Sequence, residues 1–190
     1  MENSAQAQSS GRHNSASSSG LPLQLFFQQS LQELYYAKKS IADTFTQIQD
    51  RIRSPQLQAI LSNHHHMHLA HKKRLEKIFC LHDIPAVPKD CGAVKAILAQ
   101  ANENLNVFSG DIESWEITLI LTTRKLVHYK IAFYGAVAHL AIRLNHTEAA
   151  TLLAISVQEE EEFVEKYLNR LTNEFLCPYK MGVPVARKKI

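Results

Sequence analysis

Cysteine is scarce: Cys80, Cys91 and Cys177 are the only three among 190 residues, and no two form a CxxC pair. An odd count fits a reducing compartment and excludes a disulfide scaffold. Residues 1–20 hold no apolar run, so no secretory signal is expected there. Glycine and proline number only six each, which argues against collagen-like, low-complexity and β-rich classes. Long hydrophobic runs are missing as well. The longest, Ile131 to Ile142, is interrupted by His139 and is far shorter than the ~20 apolar residues of a membrane span. Charge of one sign is not in excess: net charge is only +3, too little for nucleic acid to be a main partner. No Ser-His-Asp order, Gly-rich phosphate loop or catalytic cysteine context stands out. A soluble, cytoplasmic protein is expected, without membrane or specific nucleic-acid partners and without an evident catalytic motif.

What the chain does have is helical periodicity. Residues 1–20 contain seven serines and no large aliphatic residue after Met1, so a disordered tail is expected. Residues 21–176 read as one helical domain. Residues 177–190 read as a basic tail with Arg187, Lys188 and Lys189. The first long helix spans about Leu21 to Ile52, with its seam at Phe27, Leu31, Leu34, Lys38, Ile41, Phe45, Ile48 and Ile52. Steps alternating four and three are those of a helix packed in a bundle. Ser54-Pro55 supplies an N-cap and a first-turn proline for a second helix reaching about His82. Its seam reads Leu57, Leu61, His64, His68, His71, Leu75, Ile78. A shorter helix from about Cys91 to Val107 is expected, capped by Asp90. A third long helix runs from about Ile112 to Leu144, with Leu119, Thr123, Leu126, Lys130, Phe133, Val137, Leu140 and Leu144 inward. The fourth, capped by Thr147, runs to about Phe175 with Leu153, Ser156, Glu160, Phe163 and Tyr167 inward. The fold class is therefore all-α. A four-helix bundle with one long crossover, itself carrying a short helix, has ferritin-like connectivity.

The seams are apolar except at one level. Lys38, the trio His64, His68 and His71, then Lys130 and Glu160, each fall near the middle of their helix. They are expected to meet in one buried polar layer. Ferritin-like di-metal proteins place inward carboxylates and histidines at this level. Two divalent ions need several hard oxygen ligands, whereas two of these helices offer ammonium groups. The expected layer is an ion-pair cluster of Lys38 and Lys130 with Glu160, because buried charges require partners. The histidines are read as a hydrogen-bonded polar patch, with adventitious binding of zinc, nickel or copper and a physiological metal site as the other two readings.

The segment Leu25 to Leu171 resembles the YciE/YciF family of ferritin-like, stress-associated proteins. The stretches LFFQQSLQELYYAKKSI, SPQLQAILSNH, RLEKIF and VHYKIAFYGAVAHLA and the glutamate run of the fourth helix carry the resemblance. Its most specific part is the pattern at His128, Tyr129, Ile131, Ala132, Tyr134 and Gly135. The resemblance implies carboxylates where this chain has Lys38, Val127 and Lys130, and an acidic residue where it has Val164. What remains of the family's ligand pattern is His64, His128, Glu159 and Glu160. Two functions follow as expectations. The first is a bundle that has lost its di-metal site, with no cofactor, acting as a non-catalytic structural or stress-associated interaction protein. The alternative is an iron or manganese protein using His64, His128, Glu159 and Glu160. Phe26, Tyr35 and Tyr36 form a second apolar set on the first helix, to be covered either by the short helix or by a second subunit of a homodimer. The sequence names no partner protein.

Overall fold

In a computed structural model, residues 20–176 are described, and they form helices joined by turns and by one longer loop over 82–91. The expected terminal tails, and Cys177, lie outside the described residues. Helix α1 spans Gly20–Ile48 and ends in a short 3-10 turn, Gln49–Arg51. Helix α2 spans Pro55–Leu81. Ser54 caps it by accepting a hydrogen bond from the Leu57 N–H at 3.3 Å, with Pro55 in the first turn. Helix α3 is Gly92–Val107, α4 is Ile112–Arg143 and α5 is Thr147–Phe163. A π-helical segment, Val164–Leu168, joins α5 to α6, Asn169–Leu176.

Two helix starts differ from expectation. Cys91 precedes α3 without a side-chain cap, while Asp90 instead pairs with Lys95. His146, not Thr147, is the residue before α5, again without a side-chain cap. Asp111 does cap α4, accepting from the Ser114 N–H at 3.0 Å.

The core holds two large apolar clusters, with a small third one of Ala37, Cys91 and Val94 where α3 meets α1. One gathers Phe27, Leu31 and Leu34 of α1 with Leu75 and Ile78 of α2, Tyr134 and Val137 of α4 and Leu153 of α5. The other gathers Ile52, Leu57 and Leu61 with Trp115, Leu119 and Ile120, then Phe163, Leu168 and Leu171. These memberships fix the topology. The start of α1 meets the ends of α2 and α4 and the start of α5, so α2 and α4 run parallel. A tight turn cannot join parallel neighbours. Residues 82–111 must travel the length of α2, ~40 Å at 1.5 Å per residue, and α3 supplies most of that path. Each buried Leu, Ile or Phe contributes roughly 1.5–3 kcal/mol.

Helix α4 buries a wider stripe than a single seam. Ile120, Val127, Tyr134 and Ala141, spaced by sevens, are all buried beside Leu119, Leu126, Lys130 and Val137. Phe133, Leu140, Leu144 and Thr123 are only half-buried. The reason is that α4 packs against α1, α3, α5 and α6 and presents more than one face to them. On the last helix, Tyr167 was expected inward, but it is 41% exposed and Leu168 is buried. The π-segment explains the shift. Its i→i+5 pattern adds about one residue to the turn, so every inward position after Phe163 moves one place along.

Candidate functional site: a buried lysine, histidine and glutamate layer

Between the two apolar clusters lies a polar layer. Lys38, His64, His68, His71, Lys130 and Glu160 are all buried. Glu160 of α5 is its hub. Its Oε1 accepts hydrogen bonds from the Lys130 ammonium at 2.6 Å and the Lys38 ammonium at 3.1 Å. Its Oε2 accepts from His64 Nε2 at 2.9 Å.

The partners determine the tautomers. His64 donates from Nε2 to the carboxylate. His68 Nε2 faces the Lys130 ammonium at 2.6 Å and must accept, so its proton sits on Nδ1, a buried atom without a partner among the described residues. His71 accepts from Lys38 on Nδ1 at 2.8 Å and donates from Nε2 to Glu159 at 2.7 Å. All three rings are thus neutral, and burial is the main cause. It lowers His64 to about 3, helped by the Lys130 charge. His68 is lowered well below its usual range and His71 is also lowered. Burial likewise pushes Lys38 down and Lys130 down to about 7, against the pull of Glu160. Burial would raise Glu160, but the Lys130 and Lys38 charges override it and hold the carboxyl well below the usual range.

Contacts around the layer hold its members in place. Arg74 grips Glu159 with two parallel hydrogen bonds of 2.7 and 2.6 Å and reaches Ser156 at 3.3 Å. Glu159 is held below the usual carboxylate range first by that guanidinium. The Tyr134 ring lies under Lys38, 5.1 Å from the ammonium to the ring centre. His64 stacks flat on Phe163 at 3.8 Å. The sequence reading missed Arg74, although its spacing of three from His71 puts both on one helical face.

The alternative ligand set does not assemble. His128 is exposed on α4 and lines a surface hollow with Asn104, Thr118 and Leu121. It lies two residues from Lys130, and on a helix such residues do not share a face. Glu159 is committed to Arg74 and His71. Val127, where the resemblance implied a carboxylate, is buried in the apolar cluster. One group of potential ligands does converge: atoms of His64, His68 and Glu160 lie within 4.8 Å of one another. Lys130 contacts all three, at 3.4, 2.6 and 2.6 Å. Its ammonium therefore fills the position a cation held by that triad would need. As arranged, these residues do not fit a di-metal centre.

The apolar set of α1 is mostly covered within the chain. Tyr35 donates its hydroxyl to Glu76 at 2.8 Å and meets Phe79 edge-on. Tyr36 packs by Cys91 and Val94 at the start of α3. Phe26 stays 58% exposed. Among the described residues no helix is long and apolar enough to cross a membrane.

Comparison with known proteins bears on this arrangement. A family model described as "Domain of unknown function (DUF892)" matches residues 23–176. The chain is 35% identical over 71 residues to Protein YciF of Escherichia coli strain K12, a stretch that is 37% of this chain and 42% of that protein. The crystal structure of the E. coli stress protein YciF superposes with a TM-score of 0.74 at 23% identity, covering 81% of this chain and 96% of that one. YcfI of Rhodopseudomonas palustris, described as a candidate structural protein, gives a TM-score of 0.73 at 21% identity, with 77% and 92% covered. These likenesses confirm the all-α bundle.

Proposed function

The chain belongs to the DUF892 family, that of the stress protein YciF, and from that membership and its lysine-filled layer we propose a ferritin-like bundle that no longer uses a di-metal centre. It acts as a non-catalytic, stress-associated structural or interaction protein, in the cytoplasm and as a homodimer. One observation carries this reading: the Lys130 ammonium occupies the middle of the His64, His68 and Glu160 triad. A tethered cation there supplies the charge that neutralises Glu160 and repels a second cation. A ferritin-like topology is supported by the parallel α2 and α4 and their single long crossover.

The test is metal content and reactivity. Protein purified without a nickel column is loaded anaerobically with Fe(II) and then exposed to oxygen. The expected result is no stoichiometric binding and no rapid oxidation. Binding of about two irons per chain with fast oxidation would overturn the reading. The rival, a metal protein with an altered His/Glu site, draws support from the convergence of His64, His68 and Glu160. It requires Lys130 to leave the triad, so it predicts tight Fe(II) or Mn(II) binding by the unmodified protein.

A further inference from the structure

A hollow of about 260 Å³ lies at the end of the bundle where α2 and α4 finish and α5 begins. Leu81 and His82 line it from the end of α2, Asn145 from the turn after α4, and His146, Thr147 and Glu148 from the start of α5. The two imidazoles face each other with ring centres 4.1 Å apart. Phe27 of α1 backs both, at 5.8 Å from His82 and 5.2 Å from His146. Neither histidine takes part in the polar layer, and both are half-buried at the surface.

The hydrogen bonds of the pair leave nitrogen lone pairs free. His146 donates from Nε2 to Gln24 Oε1 at 2.9 Å, so its Nδ1 carries no proton while the ring is neutral. Burial, and then His82 beside it, lowers His146 from its usual value, which keeps the ring neutral at neutral pH. An imidazole whose second nitrogen is tied to an oxygen is held as metal-ligating histidines are held. Among the described residues no side-chain hydrogen bond ties down the His82 ring, so it can turn. The surroundings favour a cation. Two helix C-termini, of α2 and α4, meet here against one N-terminus, that of α5. Glu148 adds a carboxylate to the hollow. Its present partner is Lys77 at 2.8 Å, with both side chains more than half exposed, and such a surface pair is worth little.

We propose that His82 and His146 bind one divalent transition-metal ion of the zinc type, with Glu148 as the third protein ligand and water completing the shell. Two imidazoles and a carboxylate are a ligand set that suits zinc. A zinc ion lies about 3.2 Å from the centre of each imidazole that binds it, so two rings at a tetrahedral angle have centres about 5.2 Å apart. The pair has to part by roughly 1 Å, which the untied His82 ring allows. The site goes beyond the reading of the polar layer and does not depend on it. Its ligands come from the ends of α2 and α5, and a bound ion would fasten those two helix ends together.

Calorimetric titration of the untagged, full-length protein with zinc tests this. One ion should bind per chain with a Kd on the order of micromolar, and both His82→Asn and His146→Asn should weaken it at least tenfold. Gln24→Leu leaves all three ligands in place but removes the acceptor that orients His146, and it should weaken zinc about tenfold. Lys77→Ala releases Glu148 and should tighten zinc, the opposite of what mere loss of stability would do. These two variants decide the matter if the histidine variants fail to fold. The layer also contains imidazoles, so the variants identify which site is filled. No binding at about 0.1 mM zinc, zinc binding unchanged by His82→Asn or by Gln24→Leu, or no tightening in Lys77→Ala would each overturn the proposal.

Discussion

Removing the Glu160 carboxylate should destabilise the bundle in a way that depends on pH. Glu160→Ala strips the shared acceptor from Lys130, Lys38 and His64, which lie 2.6, 3.1 and 2.9 Å from it. Breaking a buried pair by removing one partner typically costs ~3–5 kcal/mol, against ~5–15 kcal/mol for a whole domain. The protein has one escape, which is to release a proton. Lys130 is already lowered to about 7 by burial; without Glu160, which raises it, it falls further. Below about pH 7 the folded wild type holds that proton and the folded variant does not. The gap between them therefore grows as pH falls, by up to 1.36 kcal/mol per unit and per proton. Above about pH 7 Lys130 is neutral in both, and the gap shrinks to what Lys38 and His64 lose. Urea midpoints at pH 6 and pH 9 read this directly, with Glu160→Gln as a companion that keeps the volume and removes the charge. Wild-type stability of Glu160→Ala at pH 6, or a gap that widens as pH rises, would refute the layer described here.

Lys38→Met should cost less than Glu160→Ala, because Lys130 still pairs with the carboxylate and the methionine keeps most of the volume; a larger loss in denaturant midpoint would contradict this. Acid should destabilise the wild type well above the carboxylate range. Between pH 6.5 and about 3 the unfolded chain binds a proton at position 64 that the folded chain refuses, a loss of ~2 kcal/mol by pH 5 from this ring alone, and melting temperatures that stay flat from pH 7 to 5 would rule it out. Converting Lys38→Glu, Val127→Glu and Lys130→Glu together should give a protein that is unstable alone through carboxylate repulsion but recovers on adding Fe(II) or Mn(II); equal midpoints with and without metal would count against it. Phe26→Glu should convert the proposed dimer to a monomer in light scattering, since Phe26 is the exposed member of its set while Tyr35 and Tyr36 are covered within the chain.

The seams were legible because helical spacing and burial are the same physical fact seen twice. On α2 every expected inward residue, from Leu57 to Ile78, is buried. The crossover was legible from its length alone, since α1 to α2 and α4 to α5 have only short turns. Other features required tertiary structure. Tyr167 turns outward because a π-segment changes the period after Phe163, and a pattern read at 3.6 residues per turn cannot register an extra residue. His128 carries the most family-specific motif, yet it faces away from the layer, because α4 turns Lys130 and Tyr134 inward instead. Arg74 matters through its grip on Glu159, 85 residues away, a pairing that no local pattern encodes.

The sequence by itself determined which residue types would be forced together. Charged residues on otherwise apolar seams must find one another, because each alone in the interior costs more than a domain can offset. Only the tertiary structure decided how they are arranged: Glu160 as the hub, and Lys130 inside the His64, His68 and Glu160 triad. That arrangement depends on the relative rotation of four helices and the path of α3. Those are set by the sum of many weak packing contacts across the bundle and by no single run of residues.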